Sequence, residues 1–224
     1  MSATAVCPEV VINLFDFVYG FIRSLVRLIN RFGEYGSGGR EIGEKVAKAL
    51  GIPFYDKVLI DMIAQDCGMT AGYVEEASEK MTMNQAFNIS TLGYYSISPI
   101  VENVQVIGED IFVSQSKIIK DLAEKGPCVI VGRCADYILR DRDDVLNVFI
   151  HADFDERVKR AVEEYGIEEK HVNSVIKKSD KARSKHYAFY CEKKWGNIDN
   201  YHLILNSGKF GIDKAVDLIL SAAK

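Results

Sequence analysis

The chain has 224 residues, 48% of them hydrophobic and 27% charged, with only 4 Pro, which suits one folded domain and excludes disorder, a collagen-like chain and a repeat array. Its formal net charge is −4. A protein that grips a nucleic-acid backbone carries a basic surplus, so no nucleic-acid partner is expected, whereas a small anionic ligand needs only local positive charge.

Residues 10–31 form the most apolar stretch, with Asn13, Asp16, Gly20, Arg23, Arg27 and Asn30 recurring at steps of three and four. That spacing predicts a helix with a polar stripe. Charges at Asp16, Arg23 and Arg27 argue against a membrane span. The segment also lacks the basic start and small-residue cleavage site of a signal peptide. Residues 1–31 therefore read as an N-terminal extension whose helix packs on the domain or on a second subunit, giving a homo-oligomer. Adsorption to a membrane surface is the alternative.

Residues 32–224 read as one α/β domain. Helices are predicted over 40–50 and 56–66, separated by a turn at Gly51-Ile52-Pro53. Residues 70–108 lack periodicity and read as an irregular insert, followed by a helix over 109–125 that Gly126-Pro127 stops. Cys128-Val129-Ile130-Val131 and residues 145–150 are short continuous apolar runs, as in strands buried on both faces of a parallel sheet. Asp153 and Glu156 have the spacing of a capping box that opens a helix to about 164. A basic helical segment covers 167–194, residues 202–206 read as a last strand, and 210–223 as a last helix. Strands alternating with helices imply a mainly parallel sheet between two helical layers.

Cys7, Cys67, Cys128, Cys134 and Cys191 show no zinc-knuckle or redox spacing, so reduced thiols and a cytoplasmic setting are expected. His151, His171, His186 and His202 are too scattered for a ligand set, and no metal-binding residues are identified.

The most informative stretch is Gly33-Glu34-Tyr35-Gly36-Ser37-Gly38-Gly39-Arg40-Glu41, directly ahead of an amphipathic helix. Glycine permits backbone angles that let successive N–H groups turn around an anion, and the helix adds its own unpaired N–H groups and dipole. A phosphate is the expected guest, bound by Gly36, Ser37, Gly38, Gly39, Arg40 and Glu41. The glycines alone would also suit a flexible turn. Against the P-loop pattern G-x-x-x-x-G-K-[ST], Gly39 stands where Lys belongs and Glu41 is read at the hydroxyl position, with Arg40 supplying the missing charge.

The segment EYGSGGREIGEKVAKALGIPFYDKVLI closely resembles the N-terminal signature of the cytidylate-kinase-like proteins. The resemblance resumes in SQSKIIKDLAEKGPCVIVGRCADYILRD, FIHADFDERVKRAV, the Asp180-x-x-Arg183 segment with Tyr187, and NYHLILNS, covering roughly 34–224. It implies a P-loop kinase fold with ATP and Mg2+ as cofactors and a nucleotide acceptor, CMP or a relative. The first strand departs from the family pattern, because Phe32-Gly33 stands like an insertion before Glu34-Tyr35. Either Val26–Arg31 is that strand or it is altered.

Phosphoryl transfer needs positioning and charge neutralisation more than covalent chemistry. Arg40 opens the loop's helix. Arg133 follows the CVIV strand, at the carboxyl end where open α/β sheets bind ligands. The run from Lys177 to Tyr187, with Arg157 and Arg160 before it, matches a basic lid; read alone, it is a solvated helix face. The resemblance makes Arg183 the lid arginine and places Arg133 on the acceptor. Arg157 and Arg160 could instead pair with Asp153, Glu156 or Glu164. Asp56 reads as a cap for the following helix or as a group that touches the acceptor. A small-molecule kinase with a non-nucleotide acceptor and a nucleotide-binding sensor with little catalysis are the two competing readings.

Overall fold

The computed structural model describes residues 28–75 and 99–223. Five strands form one sheet in the order β2-β3-β1-β4-β5. They are β1 (Leu28–Gly33), β2 (Phe54–Tyr55), β3 (Cys128–Val131), β4 (Val145–His151) and β5 (Leu203–Asn206), and every pairing is parallel. The helices are α1 (Gly39–Leu50), α2 (Lys57–Asp66), α3 (Pro99–Lys125), α4 (Ala135–Ile138), α5 (Phe154–Glu163), α6 (Glu169–Cys191), α7 (Ser207–Phe210) and α8 (Ile212–Ala222).

Side chains alternate across the strands, so each strand feeds two cores. Val129 of β3 joins Ile42, Val46, Ala215, Val216 and Ile219 from α1 and α8 in one layer. Its neighbours Cys128 and Ile130 face Leu59, Ile63, Ile119 and Leu122 from α2 and α3 in the other. These are the apolar runs read from the sequence, and they make the three-layer arrangement of a P-loop fold.

The first strand corrects the reading of residues 10–31 as one helix. Leu28–Gly33 is a central strand, paired from Leu28↔Val145 through Gly33↔Ile150 on one side and with β3 on the other. Phe32 and Gly33 are its last two residues, so the apparent insertion is the end of a strand that runs on past Arg31. Two neighbouring strands satisfy its backbone groups, which outweighs a local helical period. The rest of the expected N-terminal helix lies outside the described residues, as do 76–98 of the expected insert. Residues 99–108, assigned to that insert, begin α3. Asp153 stands at the N-cap of α5 without a side-chain capping bond. Its carboxylate accepts instead from Asn206 Nδ2 at 3.2 Å and pairs with Lys209 at 3.4 Å.

Strand β1 lies between β3 and β4, and the chain leaves it toward β2 before returning to the opposite side. The loop after β1 therefore opens at the switch point of the sheet, where ligands of such folds bind.

Candidate functional site at the carboxyl end of the sheet

The glycine loop runs from Gly33 to the start of α1. The Glu34 N–H donates to the Ile150 carbonyl at 3.1 Å, continuing the ladder past β1. Gly36 and Gly38 have φ of +80° and +71°, a region that side chains disfavour. Gly38 is the N-cap of α1, and Ile42 is the residue whose N–H bonds back to the Gly38 carbonyl, at 3.0 Å. The first N–H groups of α1 have no carbonyl one turn behind them, and the positive end of the helix dipole lies among them.

The loop carbonyls are taken by neighbouring elements. Arg183 Nη1 donates to Gly33 O at 2.7 Å, Arg157 Nε to Tyr35 O at 2.8 Å, and Arg160 Nη1 to Gly36 O at 3.2 Å. The Ser207 hydroxyl donates to Ser37 O at 2.6 Å. Ser37 is fully buried, and its Oγ has no hydrogen-bond partner among the described residues. An orphaned hydroxyl beside helix N-terminal N–H groups fits a bound phosphate.

The count from Gly33 through four residues to Gly38 places Gly39 at the Lys position and Arg40 at the hydroxyl position, so Glu41 lies one residue beyond it. Glu41 pairs with Lys45 at 3.0 Å, and Lys45 also reaches Asp213 on α8. Arg40 is exposed, and its Nε donates to Asp56 Oδ2 at 2.6 Å.

Arg157 and Arg160 differ in their partners. Arg157 is buried between Glu34, at 3.2 Å, and Asp180, so two carboxylates balance its charge. Arg160 is held by the Gly36 carbonyl and lies 3.4 Å from Glu164. Neither pairs with Asp153 or Glu156 as their spacing in the sequence allowed.

Strand β3 ends in a turn of three left-handed residues, Gly132, Arg133 and Cys134, with φ of 68°, 57° and 55°. Two of these are not glycine, at a cost of about 1–2 kcal/mol each. The turn is held by buried Gln115, whose Nε2 donates to Arg133 O at 2.8 Å. Such strain at a strand's carboxyl end makes the turn a candidate for function.

The turn and α6 face each other across a cavity of about 360 Å³, lined among others by Gly33, Tyr35, Asp56, Arg133, Arg183 and His186. Of the site residues expected from the sequence, Arg133 and Arg183 thus meet beside the start of the loop. Arg40 approaches through Asp56, whereas Gly36, Ser37, Gly38 and Gly39 are buried and, like Glu41, are not part of its lining. Asp56 makes no side-chain bond to the α2 terminus it caps, so the capping role expected of it is replaced by its contact with Arg40.

His186 lines the cavity with Nδ1 3.5 Å from Cys134 Sγ. Desolvation, with a smaller contribution from Arg133, pushes its pKa down to about 3. Because the folded ring resists protonation, stability is present above the ordinary histidine pKa near 6.5 and is lost as pH falls from there toward 3. The ring faces a solvent-accessible cavity, so the expected loss by pH 4 is on the order of 2 kcal/mol. Denaturant titrations of the wild type and His186→Asn at pH 7 and pH 4 check this: the wild type should lose that much more stability than the variant.

One contact between residues singled out in the sequence is set by the fold alone. The Tyr35 N–H donates to Asp180 Oδ1 at 2.8 Å across 145 residues of chain. Asp180 and Arg183 at i and i+3 share a face of α6, a signal that marks the face but not the loop it meets.

The sequence pattern of the cytidylate kinase-like family matches residues 29–209. The crystal structure of an uncharacterized protein from Eubacterium ventriosum is 31% identical, with 88% of this chain and 97% of that one covered and a TM-score of 0.66. TT1252 from Thermus thermophilus is 13% identical over 87% of this chain and 94% of that one, with a TM-score of 0.50, a likeness of fold alone. Shikimate kinase from Bacteroides thetaiotaomicron gives 16% identity, 87% and 97% coverage and a TM-score of 0.49. No curated protein matches. With the family pattern matching most of the chain, and with the glycine loop at the switch point of a five-stranded parallel sheet, the chain belongs to the cytidylate kinase-like family.

Proposed function

We propose that the protein transfers a phosphoryl group from ATP to a nucleoside monophosphate such as CMP. The observation that carries this reading is the shared cavity, where Gly33 at the end of β1 and Tyr35 in the glycine loop meet Arg133 and Arg183. The helix N-terminus and the Ser37 hydroxyl would hold the donor phosphates. Arg183 would balance charge on the transferring group, and Arg133 would bind the acceptor phosphate. ATP supplies the phosphoryl group, and Mg2+ screens its oxygens. The ion would be carried largely on the nucleotide phosphates and water, as Mg2+ commonly is. No described helix is long and apolar enough to cross a membrane; the cytoplasmic setting is inferred from the proposed reaction, whose substrates are soluble metabolites.

A second reading has one observation in its favour. Asp56 brings a carboxylate to the same cavity, where it would repel a phosphate acceptor unless Arg40 neutralises it, and would suit a hydroxyl acceptor as base or hydrogen-bond partner. Phosphorus NMR of Mg-ATP reactions with a panel of nucleoside monophosphates distinguishes the two. A new diphosphate from CMP or dCMP is expected. ATP bound but no nucleoside diphosphate formed would overturn the nucleotide acceptor and turn the search to alcohols.

A further inference from the structure

We propose that Asp180 is a positioning residue that couples α6 to the glycine loop, an inference that rests on the donor-binding role given to that loop. Tyr35 is held by both of its backbone groups: its N–H donates to Asp180 Oδ1 at 2.8 Å and its carbonyl accepts from Arg157 Nε at 2.8 Å. Arg157 Nη2 also donates to the other oxygen of Asp180, so the Tyr35 backbone, guanidinium and carboxylate close a ring. The three members come from the loop, α5 and α6. Both carboxylate oxygens are therefore engaged inside the protein.

The ring stands directly before Gly36. A Cβ on Gly36 would lie 2.7 Å from the Arg157 carbonyl oxygen, so loop and α5 are in backbone contact at that point. One turn along α6, Arg183 holds the Gly33 carbonyl at 2.7 Å. A single helix thus grips the loop at Gly33 and at Tyr35, on either side of Glu34, whose carboxylate lies 3.2 Å from Arg157. Charge-assisted bonds of this kind are the stronger class, and Arg157 is buried, so removing Asp180 leaves that buried charge with Glu34 as its one carboxylate partner. Any displacement of α6 takes the acceptor from Tyr35 N–H and the donor from Gly33 O together. The arginine that would balance the transferring charge and the carboxylate that shapes the loop move as one body. Donor binding and docking of α6 are then linked, and the linkage is reciprocal: donor binding must favour the docked helix as much as the docked helix favours donor binding.

The test uses the full chain, with Asp180→Asn and Asp180→Ala compared with wild type by two readouts. Hydrogen exchange without nucleotide should speed up about tenfold or more in the 33–41 peptide, more for Ala than for Asn, while strands β3 and β4 exchange as before. Calorimetry should show ATP binding weakened about ten- to hundredfold. Exchange that rises evenly through loop and core, or ATP affinity unchanged in a folded D180N, would overturn the positioning role. A wild type that does not bind ATP would sink the proposed function, whereas the exchange readout needs no nucleotide and still decides the coupling. Should D180A fail to fold, D180N carries the comparison, since its amide oxygen keeps an acceptor for Tyr35 and loses only the ionic partner of Arg157.

Discussion

Arg183→Ala should lower kcat for phosphoryl transfer by about 10³-fold, the low end for an arginine that stabilises the transferring phosphate. Arg183 comes from the middle of α6 and commits one nitrogen to Gly33 O. Its guanidinium carbon lies 5.8 Å from the centre of the Tyr35 ring, and the side chain lines the cavity. The surrounding protein pushes its pKa down and Asp180 pushes it back up; arginine remains charged throughout the working range. A fixed cation beside the loop gains its full value only as charge builds on the transferring group, so the loss should fall on kcat more than on the KM for ATP. Single-turnover rates measure this directly. A change below about fivefold would place the needed charge elsewhere, with Arg133 on the same cavity and Arg160 at the Gly36 carbonyl as the next candidates.

Gly36→Ala should abolish tight ATP binding and destabilise the fold. The backbone at Gly36 has φ +80°, and a Cβ there would lie 2.7 Å from the Arg157 carbonyl oxygen and 3.1 Å from its Cβ. Relief requires the loop or α5 to shift, yet Arg157 is fixed through Glu34, Tyr35 and Asp180. The left-handed angle alone costs an alanine about 1–2 kcal/mol; the backbone clash adds to it, and the total should exceed about 3 kcal/mol. Gly51→Ala is the control. It has φ +65°, and a methyl carbon added there would meet nothing within 4 Å. The control therefore carries only the backbone cost, about 1–2 kcal/mol, and should leave ATP affinity alone. Thermal melts and calorimetry on both variants test the pair. Equal losses in the two would mean that the contact with Arg157 is not what fixes the loop.

The parts of the fold visible in the sequence are those set by local pattern. The Cys128–Val131 run reads as a strand buried on both faces because each residue is apolar, and both faces are indeed packed. The 3.6-residue repeat of Ile42, Val46 and Ala47 marks the face of α1 that packs on the sheet. Strand β1 reads as helix because Arg27 and Asn30 extend the helical spacing of the residues before them, whereas its state is set by β3 and β4, which lie about a hundred residues or more away. The site divides in the same way. Glycines ahead of an amphipathic helix announce a phosphate loop, and the arginine after a buried strand announces a ligand-facing turn. Asp153 and Asp56 both have cap spacing, and both carboxylates take partners brought in by the tertiary fold, Lys209 and Arg40. Asp180 leaves no local sign of its target, since a side chain that bonds a backbone N–H places no demand on the residue type it meets.

The most direct test of the central claim, that the loop after β1 holds the donor phosphates, is an ATP titration of the 15N-labelled protein followed through its amide resonances. Saturable shifts are expected, largest for the N–H groups of Gly38, Gly39 and Arg40, and adenosine, lacking phosphates, should not reproduce them. Saturation with those resonances unmoved, and shifts centred on another surface, would contradict that claim.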